Sequence, residues 1–317
     1  MSNQQTVAEL GEFGLISAIQ TRLANSNHQK VSVGIGDDSA VVSAAGSQVV
    51  ACVDVLTQGV HFRLDWSSAN DIGRKAAAAN LADIFAMGAS PTALLVGIAI
   101  PDVTPVSWVL ELADGLAQEA SRVDVQVVGG DVVKSESIII SVTALGELSG
   151  RKPILRSGAK VGDAIALAGK LGYSAAGYLM LSRGFRSPRV LVNAHRAPEP
   201  AYELAATALK ATSMIDVSDG LLSDLSHLAS ASKVQFHIDS ATLPIPEDLT
   251  AAASAFNGNA LDWVLNGGED HAFVATFSSP LEVPAGWTLI GSVTAGEPGV
   301  FVDNQLTRAT GWDHFLK

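Results

Sequence analysis

Leu94-Leu95-Val96-Gly97-Ile98-Ala99-Ile100 is a short apolar run, followed by helically spaced apolar residues from Val106 to Ala120, and then by Val125-Gln126-Val127-Val128 leading into Gly129-Gly130-Asp131. The outer pieces have strand length and β-branched content and the middle piece has helix length, so strand, helix, strand is expected, with the last strand ending at the two glycines. A β-rich run from Ile138 to Leu148 continues the alternation, and the fold class is α/β. Upstream, Glu9 to Leu23 reads as a helix, Val31 to Val33, Ala40 to Val42 and Val49 to Val55 as strands, and Asn70 to Met87 as a helix led in by Ser68. Downstream, Gly150-Arg151-Lys152-Pro153 and Arg156-Ser157-Gly158 have linker composition, which divides the chain into domains at 1–150 and 151–317. In the second half strands are expected at Ala164 to Ala168, Met214 to Asp216, Phe236 to Ile238 and His271 to Phe277. Helices are expected at Ser174 to Ser182 and Pro200 to Lys210, and another after Ser218, a natural N-cap.

The 317 residues are 48% hydrophobic, enough for a large core and, at this length, for two domains. A formal net charge of −12 with no basic stripe argues against a nucleic-acid partner or an anionic membrane surface. Small anions remain compatible with it, because a divalent cation reverses the local sign. The one cysteine, Cys52, forms no internal disulfide and no multi-cysteine zinc site. No apolar run is long enough to span a bilayer and no leader pattern is visible, so the cytoplasm is the expected location.

Five acidic clusters stand beside glycine or at the ends of apolar runs: Gly34-Ile35-Gly36-Asp37-Asp38, Val53-Asp54, Leu81-Ala82-Asp83, Gly129-Gly130-Asp131 and Ile215-Asp216-Val217-Ser218-Asp219-Gly220. Singly, each fits a helix cap or a solvated turn. Gathered by a fold they repel: two unit charges about 4 Å apart cost roughly 4 kcal/mol at an effective dielectric near 20, and cations must bridge them. Asp83 shares a helix face with Ile72, Ala76 and Ala79, and with Asn80 close by, so its carboxylate needs a partner. Several Asp with few His or Cys is the ligand choice of Mg²⁺ bridging carboxylates to phosphates. No G-x-x-x-x-G-K-S/T, H-R-D or D-F-G signature and no nucleophile elbow appears, so a nucleotide site would be built another way.

These clusters, with Gly11-Glu12-Phe13, Gly59-Val60-His61-Phe62, Asn80-Leu81-Ala82-Asp83, Met87-Gly88-Ala89, Arg156-Ser157-Gly158-Ala159, Gly267-Gly268-Glu269-Asp270 and Trp312-Asp313-His314-Phe315, resemble the thiamine-monophosphate kinases of the aminoimidazole ribonucleotide synthetase-like superfamily. The resemblance covers nearly the whole chain. It implies a two-domain fold, with an N-terminal mixed sheet pairing across a homodimer and a C-terminal α/β domain completing the active site. It implies direct in-line transfer of the γ-phosphoryl group of ATP to thiamine monophosphate, assisted by several Mg²⁺ ions. By resemblance the metal set is Asp38, Cys52, Val53, Asp54, Asp83, Asp131, Asp216 and Asp219. Gly130, Asp131, Arg156 and Ser218 meet the nucleotide, and Arg156, Asp131 and Asp219 are the catalytic set. His61, Glu269 and Trp312 meet the thiamine phosphate, where a Trp face suits a cationic thiazolium or a pyrimidine.

Two positions depart from the family pattern. Cys52-Val53 stands where Ser-Thr is usual, which removes a hydroxyl ligand and keeps main-chain oxygens, and His271-Ala272 stands where Tyr-Glu is usual. Another superfamily activity, on a carbonyl oxygen or selenide, is a competing reading. The selenophosphate synthetases and the hydrogenase-maturation relatives use a terminal cysteine that neither end of this chain has. A non-catalytic metal- or nucleotide-binding module is the reading from a different class; it leaves Glu269 and Trp312 without a purpose.

Overall fold

A computed structural model describes residues 5–23, 31–33, 41–43 and 48–307. Two compact units are present: Met1–Ile84 with Ala89–Arg151, and Phe85–Gly88 with Lys152–Lys317.

In the first unit, α1 (Val7–Leu10), α2 (Glu12–Leu23), β1 (Val31–Val33) and β2 (Val41–Val42) precede β3 (Val49–Thr57), α3 (Ala69–Ala86), β4 (Ser90–Ile100), α4 (Val106–Ser121), β5 (Val127–Lys134) and β6 (Ile139–Glu147). The main sheet has the order β3-β6-β4-β5, antiparallel except for the β4–β5 pair. The α4 crossover makes that parallel pair possible. One face buries Leu56, Val96, Ile98, Ile140, Val142 and Ala144. On the other, Val53 and Val55 on β3 and Val133 on β5 are 59%, 48% and 50% exposed.

The second unit contains β7 (Ala164–Ala168), α5 (Tyr173–Ser182), α6 (Arg189–Arg196), α7 (Tyr202–Ala205), β8 (Ser213–Val217), α8 (Leu221–Ser232), β9 (Gln235–Ile238), α9 (Glu247–Phe256), α10 (Ala260–Asn266), β10 (Ala272–Phe277), β11 (Thr288–Thr294), β12 (Gly299–Val302) and β13 (Gln305–Thr307). Its seven strands run β13-β12-β9-β11-β7-β10-β8, with β9–β12 the parallel pair. Strands β7, β8 and β10 are buried at every position, which is why they read as unbroken apolar runs.

Several local expectations are corrected. The helix expected over Glu9 to Leu23 is two helices, because Gly11 takes φ +75° after the Thr6–Glu9 capping box. Strand β5 runs through Gly129-Gly130-Asp131 instead of ending there. A Cβ on Gly130 would lie 1.9 Å from the Val96 carbonyl oxygen, so glycine is what lets β5 close on β4. Only Tyr202–Ala205 of the expected 200–210 helix is α-helical. Gly220 at φ +109°, and not Ser218, occupies the N-cap of α8, and His271 at φ +52° is a turn residue ahead of β10. Helices α6, α9 and α10 were not expected; α10 is seven residues long, started by Asn259 Oδ1 accepting from the N–H groups of Leu261 and Asp262.

Candidate active site

On β3 of the first unit, the side chains of Cys52 and Asp54 share the face turned toward α3. Asn80, fully buried, joins the two elements: its Oδ1 accepts from the Asp54 N–H at 3.0 Å, and its amide donates to the Ala76 carbonyl at 3.0 Å. The Cys52 thiol lies 3.3 Å from the Asn80 carbonyl oxygen as a donor. Burial, then the charges of Asp83 and Asp54, push that thiol far above its ordinary range, so it stays protonated. Asp54 and Asp83 therefore converge with Asn80 as their brace. Among the described residues no three His, Cys, Asp or Glu side chains are grouped to hold a metal ion. The pair that does converge is a hard-oxygen set suited to Mg²⁺. Mg²⁺ takes oxygen and not soft sulfur, so it is main-chain oxygens of Cys52 and Val53, and not the thiol, that suit such an ion.

His61 closes the turn after β3. Its Nδ1 accepts from the Thr57 N–H at 3.0 Å, which leaves Nε2 to carry the proton of the neutral ring. The ammonium of Lys75, 4% exposed on α3, donates to the His61 carbonyl oxygen at 3.0 Å. This lysine has no glycine or acidic neighbour to mark it in the sequence, and it fixes the turn carrying the expected substrate contact.

Asp131 lies elsewhere on the same sheet. Asp54 pairs with Val142, whose row continues through Val96 to Gly130; Asp131 belongs to the next row, with Gly97, Ser141 and Val55. The two acids thus stand on opposite edge strands and opposite faces, three strand spacings or roughly 14 Å apart. The described geometry brings Asp54 to Asp83 and not to Asp131. Asp131 is exposed, its Oδ1 accepting from the Val132 N–H at 2.9 Å.

In the second unit, Asp216 is 4% exposed near the end of β8, with Oδ2 at 3.0 Å from His271 Nδ1. The turn 218–220 is held against the 267–271 loop by the Glu269 N–H donating to the Ser218 carbonyl at 2.7 Å and the His271 N–H to the Val217 carbonyl at 3.0 Å. The Asp219 N–H donates to Asp224 Oδ2 at 3.1 Å. Asp224, on α8 and 2% exposed, is pushed up to about 8 by burial and by the charges of Asp216 and Asp219, against the lowering effect of the Asp219 N–H and Arg156. Arg156, in a short 3₁₀ turn, is tied to α8 by its carbonyl oxygen, which accepts from the Ser232 hydroxyl at 2.8 Å. Asp216, Asp219, Asp224 and Arg156 are therefore one electrostatic cluster. Asp224 was missed from the sequence, where it looks like any polar residue of an amphipathic helix. Asp38 and Trp312, with Gly34 to Asp37 and Asp313 to Phe315, lie outside the described residues.

Asp224 makes a pH signature. The folded carboxyl at about 8, against an ordinary 3.8, holds a proton that the unfolded chain releases, so stability falls as pH rises through that window. Asp224→Asn keeps an acceptor for the Asp219 N–H and cannot ionise. Its Tm is expected to match the parent near pH 4 and exceed it increasingly up to about pH 8; parallel melting curves would contradict the assignment.

Residues 36–148 match the AIR synthase related protein N-terminal domain and residues 160–304 the AIR synthase related protein C-terminal domain. Fold and site together make this an AIR synthase related protein. Thiamine-monophosphate kinase of Mycobacterium tuberculosis (strain H37Rv) is 48% identical over 316 residues, spanning 98% of this chain and 93% of the relative. The structure of AaThiL complexed with AMPPCP and TMP has a TM-score of 0.81 at 34% identity, covering 99% of this chain and all of that one. The structure of thiamine-monophosphate kinase from Stenotrophomonas maltophilia K279a also has a TM-score of 0.81, at 30% identity over 92% of this chain and 96% of that one. The chain belongs to the thiamine-monophosphate kinase family.

Proposed function

We infer that the chain transfers the γ-phosphoryl group of ATP to the phosphate of thiamine monophosphate, giving thiamine diphosphate and ADP. The observation that carries this is the 48% identity to a thiamine-monophosphate kinase across 98% of the chain. The attacking oxygen belongs to a phosphate that is already ionised, so no strong general base is required, and positioning with charge neutralisation carries the rate. Two phosphorylated ligands, each with about −1.5 to −2 charge per monoester, do not meet without cations. Mg²⁺ ions supply that neutralisation when bound. Asp54 and Asp83, with main-chain oxygens of Cys52 and Val53, form one holding group, and Asp216 and Asp219 another; Asp38 belongs to the same set, and Asp131, on the opposite edge strand and face from Asp54, stands apart from the first group.

Gly130 and Ser218 meet the nucleotide phosphates and Arg156 faces the transferring group. Asp219 acts beside it as a metal-holding carboxylate. His61 donates to the thiamine phosphate, and Glu269 and Trp312 take the cationic and aromatic end. The working form is a homodimer in which the open sheet face carrying Val53, Val55 and Val133 is covered by a second copy. No helix among the described residues is long and apolar enough to cross a membrane, and the proposed location is the cytoplasm.

ADP release with thiamine monophosphate, thiamine and an unrelated phosphomonoester as acceptors tests the reading. Turnover is expected with thiamine monophosphate alone; equal turnover with thiamine would overturn it, since the acceptor would then be a hydroxyl and not an ionised phosphate. Trp312→Ala is expected to raise KM for thiamine monophosphate by roughly tenfold, the scale of a desolvated cation–π contact, with KM for ATP unchanged. Equal effects on both substrates would remove Trp312 from the thiamine end.

A further inference from the structure

Behind Glu269 the second unit buries two polar side chains that the proposed phosphoryl transfer does not use. Ser174, in the first turn of α5, is 1% exposed, and His195, in the last turn of α6, is 8% exposed. His195 Nδ1 lies 3.0 Å from the Ser174 hydroxyl oxygen and 3.6 Å from Glu269 Oε2. Tyr178 packs against the ring in an edge-type arrangement, 5.6 Å between centroids.

The backbone brings these groups together for identifiable reasons. A Cβ on Gly177 would lie 2.2 Å from the Leu191 carbonyl oxygen and 3.0 Å from His195 Cβ, so α6 approaches α5 as closely as backbones allow, and His195 is delivered beside Ser174. The loop bearing Glu269 is pinned to the same helix start: Asp270 Oδ2 accepts from the Gly172 N–H at 2.6 Å and Oδ1 from the Ser174 N–H at 2.7 Å. Glu269 itself sits at φ +63°, a conformation a non-glycine residue keeps only where its surroundings over-determine it. Its side chain is 35% exposed, so one carboxylate oxygen faces the imidazole while the group keeps access to solvent and ligand.

We propose that His195 is a positioning residue that, together with Ser174, sets the orientation of the Glu269 carboxylate toward the thiamine end of the substrate. The proposal rests on Glu269 being a substrate contact, as argued above. His195 acts through Glu269 and not on the reacting phosphates, so its loss falls on one substrate. Steady-state kinetics of His195→Ala are expected to show KM for thiamine monophosphate raised about tenfold, the size of coupling usual between contacting side chains, with kcat and KM for ATP within about twofold of the parent. His195→Asn, whose amide reaches the Nδ1 position, is expected to recover most of that loss. In a Glu269→Ala background His195→Ala is expected to add nothing. Should His195→Ala fail to fold in a thermal melt, Ser174→Ala takes its place with the same expected split. Equal effects on both KM values, or a full His195→Ala effect in the Glu269→Ala background, would overturn the proposal. Glu269→Ala with an unchanged KM for thiamine monophosphate would instead remove the substrate contact on which it rests.

Discussion

Asp83→Asn is expected to lower kcat by on the order of 10² to 10³-fold while leaving the protein folded, the scale of losing one preorganised electrostatic partner of a transition state. The substitution replaces a charged ligand by a neutral amide of the same shape, so packing in α3 is retained. It also relieves repulsion from Asp54, which favours the metal-free fold. The expected signature is therefore an activity loss without a stability loss: Tm in chelator equal to or above the parent, and a smaller rise in Tm on adding Mg²⁺. Retained kcat would remove Asp83 from the metal-holding set. A large fall in Tm in chelator would make its role structural.

Arg156→Ala is the second large effect. A guanidinium aimed at a transferring phosphoryl group is worth roughly 10³ to 10⁵ in kcat in enzymes of this reaction type. A loss of at least about 10³ is expected here, with KM for ATP changed much less. Arg156→Lys is expected to recover little, because a point charge does not reproduce the planar fork. Arg156→Ala also removes the positive charge that opposes the upward shift of Asp224, so the pH-dependent destabilisation traced to Asp224 deepens. Unchanged kcat in Arg156→Ala would leave the guanidinium with that structural role alone.

The α/β pattern was legible in the sequence because its helices and strands announce themselves by different periods, and 94–128 shows both within one stretch. What misled was punctuation. Gly129-Gly130 reads as a strand end, yet β5 passes through it, because a close approach to β4 needs glycine as much as a turn does. Gly220 displaced Ser218 from the N-cap because its φ of +109° suits a strand-to-helix turn that serine does not enter freely.

Within the site, acids beside glycine were visible and their supports were not. Asn80 was seen only as a neighbour of Asp83 on the helix face, whereas its amide actually ties α3 to β3. Lys75, Asp224 and His195 carry no local mark, since each is defined by what lies across from it in space: the His61 carbonyl, the Asp219 N–H, and Ser174 with Glu269. A sequence read along its length has no means of finding such pairs. The separation of Asp54 and Asp131 onto opposite edges of one sheet is likewise a matter of strand order, and order is not written in the strands themselves.

The central claim is that the terminal phosphoryl group of ATP moves onto thiamine monophosphate in one chemical step. ATP chiral at an isotopically labelled γ-phosphorus, turned over with Mg²⁺ and thiamine monophosphate, tests it directly. The expected product is thiamine diphosphate carrying the label in its terminal phosphate with inverted configuration. Label recovered only as inorganic phosphate would contradict the activity, and retained configuration would contradict direct transfer.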